Sequence, residues 1–121
     1  MKPSFVVVVD DDESVRESVP DLLREFGFAA QAFESAEAFL ASDCIGEVDC
    51  LILDIFMPGL NGPDLQQHLI AQGHHIPIVF ITAKADEVTR TGVVDAAAGL
   101  LAKPFSETAL QQAIDAALHP Q

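Results

Sequence analysis

The sequence predicts an α/β fold, a parallel five-stranded sheet covered by helices on both faces, and three observations lead to it. Short apolar runs (Phe5–Val9, Ala29–Phe33, Cys50–Leu53, Ile78–Thr82 and Leu100–Ala102) alternate with longer amphipathic stretches, as successive βαβ units do. Several of these runs are apolar at nearly every position, which suits strands buried on both sides rather than strands with one wet face. At 121 residues the chain matches the roughly 100–150 residues of one domain, so a single core is expected over 1–121.

Each element follows from local chemistry. After Phe5–Val9, the residues Val15, Val19, Leu22, Leu23 and Phe26 recur at helical spacing until Gly27 supplies a stop. Pro20 falls inside that helix, removes one backbone donor and should kink or loosen its middle. Ser35 is placed to cap a short helix with Ala36, Phe39 and Leu40 inward. The third strand ends at Asp54, and Asn61-Gly62-Pro63 opens a helix through Leu65, Leu69 and Ile70 to Gly73. A weak helix is expected from Asp86 to about Ala97. Ser106 caps the last one, with Leu110, Ile114, Ala117 and Leu118 on its inner face.

Six basic and nineteen acidic side chains give a formal charge of −13, which repels nucleic acid and anionic membranes. No apolar run approaches the roughly 20 residues of a membrane helix, and the N-terminus lacks a secretory pattern, so a cytoplasmic location is expected. Cys44 and Cys50 are expected as small buried or half-buried side chains, His68, His74 and His75 as surface residues, and Phe5, Phe26, Phe28, Phe33 and Phe39 as core.

In an open parallel sheet, ligands bind beyond the carboxyl ends of the strands. Those ends are polar here: Asp10-Asp11-Asp12 after the first strand, Asp54 after the third, Thr82 on the fourth and Lys103-Pro104 after the fifth. Clustered carboxylates call for a cation, and hard oxygen donors beside phosphate suit Mg²⁺. In such a site a carboxylate is a nucleophile toward phosphorus, a lysine holds the charge of the transferred group and a threonine donates to one of its oxygens.

These pieces, Val-Val-Asp-Asp-Asp-Glu at 8–13, Leu-Asp-Ile-Phe-Met-Pro-Gly-Leu-Asn-Gly at 53–62, Ile-Thr-Ala at 81–83 and Lys-Pro-Phe at 103–105, resemble the receiver domains of two-component response regulators over essentially the whole chain. The resemblance implies a flavodoxin-like (βα)5 fold with strand order 2-1-3-4-5, and a signalling domain rather than an enzyme. It implies that Asp54 accepts a phosphoryl group from a sensor histidine kinase, with Thr82 as switch hydroxyl and Lys103 as phosphate partner ahead of a cis proline bond. It further implies an acidic pair, Asp10 and Asp11, and Mg²⁺ held at that pair, Asp54 and the main-chain carbonyl of Phe56. Phosphorylation would then bias the surface of the fourth helix, fifth strand and fifth helix toward homodimerisation or output.

Ser-Ala-Glu-Ala-Phe-Leu at 35–40 and Asp-Cys-Leu at 49–51 are closest to FixJ-like receivers, commonly joined to a LuxR-type DNA-binding domain. Transcriptional output would therefore lie in a segment not in this chain. Two features depart from the family pattern. Leu100 stands where a switching aromatic is usual, and the interval from Thr82 to Lys103 is one residue short. The competing readings are an aspartate-nucleophile phosphohydrolase of the haloacid dehalogenase type, suggested by Asp10-x-Asp12, Thr82 and Lys103, and a flavodoxin-like binding module. The first lacks a further acidic pair after the lysine, and the second lacks a Gly-rich phosphate loop.

Overall fold

The apolar runs pair in parallel into one sheet ordered β2-β1-β3-β4-β5, with β1 Phe5–Val9, β2 Ala29–Phe33, β3 Cys50–Asp54, β4 Ile78–Thr82 and β5 Leu100–Ala102. The structure is a computed structural model that describes residues 3–84 and 99–119. Between the strands lie α1 (Glu13–Glu25), α2 (Ala36–Leu40), a 3-10 turn (Ile45–Glu47) and α3 (Gly62–Ala71), and the chain closes with a C-terminal helix, Glu107–Leu118. The expected helix at 86–97 lies outside the described residues.

Strand alternation sorts the apolar side chains into two cores. Val7, Val9, Leu51, Leu53 and Phe80 point to the face covered by α2 and α3, where they meet Phe39, Leu65 and Leu69. Val6, Val8, Cys50, Ile52, Val79 and Ile81 point to the opposite face and meet Val15, Val19 and Leu23 of α1 with Leu110 and Ile114 of the C-terminal helix. Phe33 and Phe39 stack edge to face at 5.4 Å between centroids. Cys44 and Cys50 are free and buried, and burial pushes the Cys50 thiol up to about 12.

Local signals set the helix ends. Asp12, Ser35, Asn61 and Ser106 each accept a backbone N–H from the first turn of the helix that follows. α1 stays helical through Pro20, where the Val15–Val19–Leu23 stripe packs on the sheet and Pro20 is itself buried. Ile70 is 42% exposed, while Leu65 and Leu69 cover the sheet on that side.

Candidate functional site

The parallel register brings the polar strand ends to one rim. Beyond β1, the Asp10 N–H donates to the Phe33 carbonyl at 3.1 Å, so the sheet pairing extends one residue and leaves Asp10 fully buried. Its Oδ1 accepts the Asp12 N–H at 2.9 Å, and its carbonyl accepts from Arg16 Nη1 at 3.1 Å. Asp54 closes β3 opposite Ile81 and is 5% exposed. Thr82 closes β4, buried, and its carbonyl accepts the Lys103 N–H at 2.8 Å. The Lys103–Pro104 bond is cis.

The three consecutive acids take three different roles. Asp12 is a helix cap: its Oδ1 accepts from Ser14 N at 2.9 Å and Ser14 Oγ at 2.8 Å, and these bonds hold its carboxyl below the usual carboxylate range. Asp11 is exposed at the rim, and Asp10 is locked beneath it. One carboxylate oxygen from each of Asp10, Asp11 and Asp54 lies within 4.8 Å of the others.

Electrostatics at the rim is unbalanced toward negative charge. The Asp54 carboxyl is pushed up to about 7, first because burial strips water from the charged form and next because the Asp10 charge faces it. Lys103 Nζ lies 2.8 Å from Asp10 Oδ2 as an ion pair, and among the described residues no hydrogen-bond donor with good geometry serves that oxygen. Burial disfavours the Lys103 ammonium, but the pull of Asp10 and Asp54 outweighs it and raises its pKa. One lysine against three carboxylates leaves room for a hard cation, and an all-oxygen donor set of carboxylates fits Mg²⁺. Thr82 Oγ1 accepts the Lys84 N–H at 2.9 Å and so retains its own proton for an acceptor above it.

Of the residues singled out at the strand ends, Asp10, Asp11, Asp54, Thr82 and Lys103 thus meet at one place, with Phe56 lining the same cleft. His68 and His75 are exposed, as expected, whereas His74 is half-buried, and His68 Nε2 pairs with Gln72 Nε2 at 3.1 Å. The sequence reading missed four supporting residues. Arg16 fixes the Asp10 carbonyl, and Lys84 sits with its Nζ 5.6 Å from the Phe56 ring centroid. Gly62 backs directly onto the acceptor strand, where a Cβ would come within 2.6 Å of the Asp54 carbonyl oxygen. Glu37 accepts the Leu60 N–H at 3.0 Å. Only the glycine carried a signal, because a residue without Cβ next to a helix start marks a close approach.

A doubly wound domain with an acidic rim, a buried hydroxyl and a lysine at its strand ends defines a phosphoryl-handling class. The sequence profile of the response regulator receiver domain matches residues 6–115, and the chain belongs to that family. It is 40% identical over 115 residues to nodulation protein W of Bradyrhizobium diazoefficiens, covering 94% of this chain and 51% of that protein. Among solved structures it is similar to FixJ-N (TM-score 0.77, 34% identity, 100% of this chain and 98% of that one). It is also similar to the response regulator TrrA of Thermotoga maritima in complex with Mg(2+)-BeF (TM-score 0.80, 26% identity, 95% and 99%). The chain spans about half the length of the curated relatives it matches.

Proposed function

We propose that this chain accepts a phosphoryl group on Asp54 from a sensor histidine kinase, with residues 1–121 acting as one receiver unit. The observation that carries the reading is the convergence of Asp10, Asp11, Asp54, Thr82 and Lys103 at the carboxyl ends of the strands. A carboxylate oxygen of Asp54 attacks phosphorus as the bond to the donor nitrogen or oxygen breaks. Lys103, already drawn to the rim by Asp10, then turns its ammonium to the transferred group, and Thr82 donates its hydroxyl proton to a phosphoryl oxygen.

Asp10, Asp11, Asp54 and the Phe56 carbonyl would hold Mg²⁺, which supplies positive charge to offset that of the phosphoryl oxygens. Support comes from the donor set itself and from the similarity to a protein solved with Mg(2+)-BeF. Drawing Thr82 and Lys103 inward biases the surface around β5 and the C-terminal helix, which we read as the face for dimerisation or output. A DNA-binding output in the full-length protein is consistent with similarity to regulators named as transcriptional, such as TdiR of Thauera aromatica.

The test is the intact mass after incubation with acetyl phosphate and Mg²⁺. A one-phosphate increment is expected in the wild type and none in Asp54→Asn. An increment that survives in Asp54→Asn would move the acceptor elsewhere and overturn the assignment.

A further inference from the structure

The loop between β3 and α3 is tied at its base, where the Gly62 N–H donates to the Ile55 carbonyl at 2.9 Å. Beyond that base, among the described residues, the backbone N–H groups from 56 to 61 make a single hydrogen bond. It runs from Leu60 to Glu37 Oε2 at 3.0 Å, across a sequence gap of 23 residues and out of the first turn of α2. The neighbouring Gly59 has φ +78°, and a Cβ there would lie 2.5 Å from the same Oε2. The carboxylate therefore occupies the space that a side chain at 59 would fill. The bond also holds the Glu37 carboxyl below the usual carboxylate range.

We propose that Glu37 is a positioning residue for the phosphorylation site: it fixes the 56–60 backbone, and through it the Phe56 carbonyl, against the acidic rim. The inference rests on the reading above, in which that carbonyl is a Mg²⁺ ligand. A small hard cation requires its ligands near 2.0–2.1 Å in octahedral geometry, so a carbonyl on a loose loop is a poor donor. The side chain of buried Met57 anchors one point of the loop, but a side-chain anchor leaves the peptide planes on either side free to rotate. A charge-assisted bond to a main-chain N–H fixes a second point of the loop, the peptide plane between Gly59 and Leu60. Glu37 is exposed and belongs to neither core, so its loss should leave the fold in place.

The experiment compares wild type, Glu37→Ala and Glu37→Gln by amide exchange of the metal-free protein, by Mg²⁺ titration followed by NMR, and by phosphate uptake from acetyl phosphate. In Glu37→Ala the Leu60 amide should exchange about tenfold faster. Its Kd for Mg²⁺ should rise about threefold, less than the roughly tenfold or more typical of groups bonded directly to a ligand. Uptake should fall at limiting Mg²⁺ and recover at saturating Mg²⁺, with the melting temperature nearly unchanged. Glu37→Gln keeps an acceptor oxygen and should restore most of each effect. An unchanged Mg²⁺ affinity in Glu37→Ala, or equal losses in Ala and Gln, overturns the inference even where wild type binds Mg²⁺ and is phosphorylated. Failure of wild type itself to do either overturns the receiver reading, and the inference with it.

Discussion

At the scale of single residues, Asp54 is the group whose environment most alters its chemistry. With its pKa raised to about 7 in the fold and an unfolded value near 3.9, the folded chain holds more protons than the unfolded one between those values. Its contribution to stability is therefore fully present below about pH 4 and is lost as the pH rises through about 7. Melting temperatures of the metal-free protein should fall from about pH 5 to about pH 8, and Asp54→Asn should flatten that fall. Parallel curves for the two proteins would assign the titration to another group. None of this is visible in the string Leu-Asp-Ile: a lone aspartate after a strand reads equally as a solvated turn, and only its burial beside Asp10 changes it. Asp12 shows the converse, since its two contacts with Ser14 make it an ordinary helix cap.

At the scale of elements, α1 shows packing overriding propensity. Pro20 has no N–H for the Arg16 carbonyl, and a proline inside a helix costs about 3 kcal/mol in isolation. The helix persists because three buried apolar residues hold it to the sheet. Pro20→Ala regains one hydrogen bond but loses the buried ring, so a net gain of about 1–2 kcal/mol in urea unfolding is expected. A loss of stability instead would mean that the ring's packing outweighs the missing bond. The same element sets Arg16 against the Asp10 carbonyl, so it serves the rim as well as the core. Leu100, in the place usual for a switching aromatic, packs against the α2–α3 core rather than the acidic rim.

At the scale of the molecule, folding gathers like charges that the unfolded chain keeps apart, and a cation bound only by the fold should stabilise it. At Mg²⁺ ten times its Kd the expected gain is about 1.4 kcal/mol, read as a higher melting temperature in wild type and a smaller rise in Asp54→Asn. Identical melting with and without millimolar Mg²⁺ would remove the case for a cation at this rim. The sequence by itself determined the α/β class, the bounds of all five strands to within a residue, the helix caps at Ser35 and Ser106 and the rim residues. It could do so because apolar periodicity, cap chemistry and polar strand ends are written locally. Only the tertiary structure decided which acid is buried, which caps a helix and which stays open, along with the course of α1 through Pro20 and the outward turn of Ile70. It also decided the contacts of Glu37 with Leu60 and of Gly62 with the Asp54 backbone. Those are matters of distance between segments far apart in the chain, set by how the sheet stacks its strands, and no local pattern of residues encodes them.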